Sequence, residues 1–410
     1  GGRTRAARDG SRACARHHRS RRSGSLRRHR QQASEHALFA FGADTHSTRH
    51  VAGLAPLKTS EQKPELYHAR IGDAREDRHR VLGVLHDALS QHARQHVAKY
   101  DWFHRPGEGD ASLLALVDHV PTGSCVGTSA VGRRRILWKG REIRAGVMAD
   151  MAISPQHRTL GPVLMLQAEL LAAAQGRFDW LYGFPNAKSI AVAKRAGFPV
   201  IGVMRRYSRV LRHGDYFSRV APLPIARAAG WFFDSIVNAL RRVRMLSASS
   251  LTAVWSDHAD QRMDHLWTVS ERGEGCVAIR DAAFLQWRFD GYPGATTRYL
   301  CLAEAGKDTL VAWFACQIDG HTLHVRDFWS KDAAKGLPRS HVEMLLQAVR
   351  WEYSKVAVVS FEYSGEGQLL AGWSAAGFVE RSKRSIIGRC LSGDGPDLAH
   401  SHMTAADEDE

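Results

Sequence analysis

The sequence predicts an α/β protein made of two tandem lobes, each a mixed, mostly antiparallel sheet flanked by helices. Three observations lead there. Between residues 66 and 211, short apolar strand patterns alternate with amphipathic helix patterns. Between residues 248 and 392 the same order returns in diverged form. At residues 153–176 a strand runs through a polar turn into a long Ala/Leu helix, ending in "SPQHRTLGPVLMLQAELLAAAQG".

Each element has its own signal. "LYHARIGDA" (66–74) is a short strand, and "RHRVLGVLHDALSQHARQH" (78–96) puts Val81, Leu82, Val84, Leu85 and Leu89 on a helical stripe. Residues 111–154 hold apolar runs cut by Pro-Thr-Gly and Lys-Gly, which predicts three antiparallel strands joined by tight turns. A helix follows over 161–174, then a strand in "FDWLYGF" (178–184), a short helix in 186–198 and two strands in 200–211. The first lobe therefore spans 63–212. Residues 213–247 form a linker helix whose Trp231, Phe232 and Phe233 precede Arg241, Arg242 and Arg244. Packing between the lobes is the expected role, and peripheral membrane contact through 225–244 is the other one.

The second lobe, 248–392, echoes the first in order. "DWFHRPGEGDASLLALV" (101–117) answers to "QWRFDGYPGATTRYLCLA" (286–303), and "AVAKRAGF" (191–198) to "AGWSAAGF" (371–378). Gly161 falls opposite Gly336, each ahead of a helix. The chain then runs into an acidic segment, 393–410, expected to be a solvated tail.

Charge separates an extension from the body. The formal net charge is +15, yet residues 1–32 hold eleven Arg and one acid, so the rest of the chain carries only about +5. Residues 1–62 are expected to be a disordered extension. No aromatic residue interleaves the Arg run to stack on bases, so nucleic acid is not an expected partner. No apolar run reaches bilayer length. The six cysteines are scattered, without a C-x-x-C pair or a His at zinc spacing, which points to a reducing compartment and to no metal. The expected location is the cytoplasm, with the inner membrane face as a periphery.

The junction after the fourth strand carries the chemistry. The strand ends at Ile153, the chain turns through Gln156, His157, Arg158, Thr159 and Leu160, and a helix begins near Gly161. A helix's first turn leaves N–H groups unpaired and carries positive partial charge, which suits a pyrophosphate. Gly161 lets the backbone approach closely, Arg158 can add a charge-assisted contact, and Pro162 suits the first helical position.

These residues resemble a family. "MAISPQHRTLGPVLM" is similar to the acyl-CoA pyrophosphate loop of the GNAT acetyltransferase superfamily, Gln/Arg-x-x-Gly-x-Gly/Ala, with Val163 in place of the last Gly/Ala. "YGFPNAKSIAVAKRAGF" adds the family's Asn after the fifth strand, here Asn186, and its closing Gly-Phe, here Gly197-Phe198. The resemblance covers 63–212 well and 248–392 faintly. It is nearest to double-GNAT proteins associated with polysaccharide and cell-envelope modification, and it implies two GNAT-like lobes.

By resemblance, acetyl-CoA or another acyl-CoA is the co-substrate, held by Ile153, Gln156, His157, Arg158, Thr159, Leu160, Gly161, Pro162 and Val163, with Asn186 on the pantetheine arm. The product is an N-acylated amine, the acceptor being a small molecule or glycan such as an amino sugar. Asp150 is the candidate general base, with His157 and Tyr182 behind it. Where many members carry a general-acid Tyr this chain has Ala193, which leaves Tyr207 as the candidate proton donor. Ala333 and roughly Glu366 stand opposite Arg158 and Asn186, so a single site is expected, in the first lobe. Two other readings stay open: a Fem-like aminoacyl transferase fed by charged tRNA, and a non-catalytic scaffold, which Val163 and Ala193 favour.

Overall fold

Alternation along β2 (Leu113–His119) divides the first lobe into two layers. Leu114 and Leu116 point to one face and Leu113, Ala115 and Val117 to the other, and all five are buried. The computed structural model describes residues 65–89, 93–104, 112–187, 189–212 and 251–409. The Arg-rich extension (1–62) and the linker helix (213–247) lie outside the described residues.

β2 pairs antiparallel with β1 (Tyr67–Gly72) and with β3 (Ser124–Trp138), and β3 with β4 (Arg141–Ile153). Lys139 and Gly140 close the last hairpin with φ of 49° and 71°, the left-handed pair that a two-residue turn needs to match strand twist. The expected single helix over 78–96 is instead two, α1 (Arg78–Ala88) and α2 (Ala93–Phe103). Together they cover the Leu114/Leu116 face through Val81, Val84, Leu85, Tyr100 and Trp102. The opposite face packs on α3 (Leu160–Ala174), whose buried Pro162, Leu166, Gln167, Leu170 and Ala174 recur at helical spacing. α3 crosses over to β5 (Trp180–Gly183), parallel to β4; α4 (Ile190–Arg195) and β6 (Val200–Val210) follow. β6 is one strand where two were expected.

The second lobe repeats the order. Its elements are β7 (Leu251–Ser256), α5 (Gln261–Val269), β8 (Val277–Ala278), α6 (Ala282–Leu285), β9 (Thr297–Glu304), β10 (Leu310–Asp319), β11 (Thr322–Ser330) and α7 (Arg339–Glu352). β12 (Val358–Gly365), α8 (Ala371–Ala375), β13 (Val379–Cys390) and β14 (His402–Thr404) complete it.

The two lobes do not keep separate sheets. One sheet of 14 strands runs β1-β2-β3-β4-β5-β13-β6-β12-β11-β10-β9-β7, with β8 and β14 attached off this path. Each lobe lends a strand to the other: β13 pairs with β5 and β6 with β12, while β6 and β13 pair together at the centre. The exchange gives both inner sheet edges a partner and leaves neither open to aggregation. Residues Gln62–Glu410 accordingly form one compact unit.

The segment expected to be a solvated tail is core. Met403, Ala405, Ala406, Asp407 and Glu408 are all buried. Asp407 accepts hydrogen bonds from the fully buried Arg280 (2.7 Å) and from the Thr404 backbone N–H (2.8 Å). Arg280 also donates to Asp327 at 3.0 and 3.1 Å. Acids read as a solvated run are here the counter-charges of an interior arginine.

Candidate active site

β4 and β5 pair only from Ala145–Trp180 to Val147–Tyr182. Beyond that they part, because β4 carries a bulge: Thr128 and Ala130 of β3 stand opposite Ala152 and Ala149, which leaves an extra residue on β4. Asp150 sits in that bulge with φ of +50°, a conformation costly for a residue with a side chain. The opening leads into a cavity of about 710 Å³. It runs through the sheet from Gln167 of α3 and Val192 and Ala193 of α4 to Lys99 of α2, with Phe184 and Asn186 at its rim. The second lobe and the chain end complete its far wall with Tyr292, Pro293, Gly294, Ile387 and Asp409.

Asp150 is the polar centre of this cavity. Lys99 Nζ lies 3.2 Å from Asp150 Oδ1 and 3.2 Å from Asp409 Oδ2. His104 Nε2 lies 3.5 Å from Asp150 Oδ2, while its Nδ1 is 2.6 Å from Ser112 Oγ. Burial alone would raise the proton affinity of Asp150, but Lys99 and His104 outweigh it and hold the carboxyl well below the usual carboxylate range. Lys99 is shifted the other way: burial opposes its charge, and Asp150 and Asp409 more than restore it. Asp150 is therefore a firmly ionised counter-charge, suited to attracting a cation and poor at keeping a proton.

The other expected site residues divide into three groups. Asn186 reaches the cavity, and its Oδ1 accepts from the Ser189 N–H (3.0 Å) and Oγ (3.1 Å) ahead of α4, so it shapes that turn as well. The loop forms the approach to α3. Ile153 is buried at the end of β4, and Gln156, Arg158, Thr159, Leu160 and Gly161 are exposed. α3 begins at Leu160, so Pro162 is its third residue, and Val163 packs against the core beneath the helix. Thr159 makes no side-chain cap bond, and a Cβ on Gly161 would meet nothing within 4 Å.

Two loop side chains are turned from their expected roles. Arg158 donates to the carbonyls of Ile153 (3.2 Å) and Ala88 (3.0 Å), so it pins the loop to the end of α1. His157 Nδ1 is 3.1 Å from Tyr67 Oη, with its ring against His119, away from the cavity.

Neither expected tyrosine reaches the cavity. Tyr182 is fully buried under Trp180 and donates to the Asp407 carbonyl at 2.9 Å; burial pushes its pKa up. Its hydroxyl is taken by that carbonyl and its ring by the core under α1 and α2. Tyr207 stacks on Phe361 at 5.2 Å and packs against the core of the second lobe, because β6 has crossed into that lobe. Lys99, His104 and Tyr292 are the site residues that sequence reading missed. The spacing of Lys99 and His104 in "KYDWFH" was the available signal.

Solved structures match this arrangement of strands and helices. A conserved protein from Enterococcus faecalis V583, a probable N-acyltransferase, superposes with a TM-score of 0.56 at 10% identity, over 79% of this chain and 73% of the other. The GCN5-related N-acetyltransferase from Anabaena variabilis ATCC 29413 gives 0.55 at 12% identity over 79% and 73%. That from Kribbella flavida gives 0.50 at 11% identity over 80% and 72%. The fold is that of the GCN5-related N-acetyltransferases. Each match covers too large a share of the chain to come from one GNAT lobe. No family model and no curated protein matches the sequence. Among the described residues no helix is long and apolar enough to cross a membrane.

Proposed function

We propose that the protein is an N-acyltransferase, taking an acyl group from acyl-CoA, acetyl-CoA in the first instance, and passing it to an amine acceptor. An amino sugar is one such acceptor. The observation that carries this reading is the opening between β4 and β5 at Asp150, to whose wall α3, a helix with an exposed first turn, contributes Gln167.

The residues fit such a co-substrate. The first-turn N–H groups of Leu160, Gly161 and Val163 have no side-chain cap, and the space over Gly161 is clear for a diphosphate. Asn186 and Val192 border the path toward Asp150. Bound acyl-CoA supplies a thioester carbonyl open to attack. The bound ammonium first gives up one proton to solvent; the amine's lone pair then forms the amide bond as the C–S bond breaks, and the second proton lost from nitrogen balances the one gained by the thiolate. Among the described residues no strand pairs with β4 beyond Val147 on its β5 side, so its main-chain groups face the cavity where an oxyanion would form. Asp150 and Asp409 draw the acceptor's ammonium in; the first lobe holds the donor and the second closes the acceptor side.

Calorimetry with CoA and acetyl-CoA tests the reading. A Gly161→Asp variant keeps the fold, since an acid at a helix N-terminus is stabilising and the position is open. It places a carboxylate where the diphosphate docks, so affinity falls by about tenfold or more while Tm holds. A wild-type protein that gives no heat with either ligand overturns the proposal.

A further inference from the structure

We infer that Gln167 is a further donor-binding residue. Its side-chain carbonyl accepts a hydrogen bond from an amide N–H of the pantetheine arm and so sets where along the cavity the thioester stops. The inference rests on the acyltransferase reading above and adds the residue that reads the donor's arm.

The first support is the composition of α3. It buries Pro162, Leu166, Gln167, Leu170 and Ala174 against the sheet. A core-facing stripe is expected to be apolar, and Gln167, only 2% exposed, breaks it. The crossover helix of the second lobe shows no such break: the residues that α7 buries, Val342, Met344, Leu345, Leu346 and Val349, are all apolar. A buried amide destabilises the fold unless each of its polar atoms is paired. The lobe with an open cleft carries that cost, and the lobe whose cleft is filled does not.

The second support is what the amide touches. Its Nε2 donates to Ser129 Oγ at 3.1 Å. Its Oε1 is buried and has no hydrogen-bond partner among the described residues. Ser129 lies where the β3–β4 register skips, between Thr128–Ala152 and Ala130–Ala149, so Gln167 is tied to the β3 residue that faces the Asp150 bulge. Ser129 also pairs with Ala115 of β2, a member of the cluster under α3, which sets the amide on the α3 side of the opening. Gln167 lines the cavity there together with Met148 and Val192.

The unpaired atom is an acceptor, so an N–H or O–H group completes it. Gln167 lies about 9 Å along the helix axis from Gly161, at 1.5 Å per residue. A diphosphate docked over Gly161 therefore brings the arm, and not the nucleotide, to that depth. The pantetheine arm carries amide N–H groups between its diphosphate and its sulfur, and an alkyl acyl chain carries none. The terminal torsion of a glutamine is broad, so Oε1 can follow the arm while Ser129 holds the other end of the amide.

The test is calorimetry on the full chain with CoA and with ADP, which has a diphosphate and no arm. ADP is followed by displacement of CoA where its own heat is small. Gln167→Met keeps the length of the side chain and removes both polar atoms. The pair Gln167→Met with Ser129→Ala also removes the hydroxyl that would lose its partner. Expected is a fall of about tenfold in CoA affinity in both variants, with ADP affinity unchanged and the Tm of the double variant equal to or above that of the parent. Variants that bind CoA as tightly as the parent overturn the inference, and so does a loss shared equally by CoA and ADP. A parent protein that binds neither ligand overturns the acyltransferase reading itself.

Discussion

In the first lobe β4 and β5 part after Val147 and Tyr182 and leave a cavity; in the second, β11 and β12 part after Val325 and Phe361 and β14 fills the gap. β14 continues the ladder of β12 through Tyr363–Thr404, Ser364–Met403 and Gly365–His402. The His402 ring sits against Phe328, Trp329 and Tyr363, at 5.1–5.3 Å. The turns ahead of the crossover helices differ in the same sense. Gly161 faces open space, whereas a Cβ on Gly336 would lie 2.4 Å from the Leu369 carbonyl oxygen. One repeat keeps its cleft open, and the other has filled it with β14. The hydrogen-bonded frame survives in both, because it depends on strand pairing and not on what occupies the cleft.

The largest expected effect tests whether the chain end is truly part of the second lobe. Asp407→Ala leaves Arg280, buried on every side, with one carboxylate where it had two, and removes the acceptor of the Thr404 N–H. Breaking a buried pair in this way costs about 3–5 kcal/mol. Denaturant unfolding should show the midpoint falling accordingly, with the slope unchanged. A variant as stable as the parent would mean the segment is an ornament and the contrast between the lobes is false.

The fold was legible where periodicity and punctuation coincide. The Lys139–Gly140 turn, the α3 stripe from Pro162 to Ala174 and the echo of Gly161 in Gly336 are local patterns, and local patterns are what a sequence displays. The strand exchange was not legible, since β6 and β13 would read as strands whichever neighbour they took. The same crossing misplaced Tyr207. Tyr182 failed for a subtler reason: a four-residue strand buried throughout gives no alternation to tell a cavity residue from a core residue. The burial of the chain end was half visible. Thr404-x-x-Asp407 has capping-box spacing and follows the apolar Met403, but the acid count of the segment outweighed both. Asp150 could be picked from its place near the end of β4, while its partners Lys99 and His104 come from a helix some fifty residues away.

A pair of glycine substitutions sharpens the contrast between clefts. Gly336 has φ of +79° and no room for a Cβ, so Gly336→Ala should cost roughly 1–3 kcal/mol. Gly161 lies in the first turn of α3 with open space beside it, so Gly161→Ala should be neutral or gain up to about 1 kcal/mol from helix propensity. Thermal melts of the two variants measure the difference directly. Equal losses would show that the turn of the first lobe is packed as tightly as that of the second, and the cleft would no longer count as open.

The smallest effect is one of sign in the pH dependence of stability. Asp150 has its carboxyl held below the ordinary range, so as pH falls through about 4 the unfolded chain takes up a proton before the folded one does. Its stabilisation is complete above that range and is lost toward lower pH, with a slope of up to about 1.4 kcal/mol per pH unit. Asp327 of the second lobe behaves oppositely. Burial, opposed by Arg280 and reinforced by Asp407, pushes it up to about 6, so the folded chain holds the extra proton between about pH 4 and 6. Its contribution is full below that window and is lost as pH rises through it. Asp150→Asn should therefore flatten the acid limb of a stability profile, and Asp327→Asn should remove a decline between pH 4 and 6, whatever each costs in absolute stability. Profiles that shift in the same direction would mean that the two carboxylates share one environment. The asymmetry between a solvent-reached cleft and a filled one would then have no electrostatic counterpart.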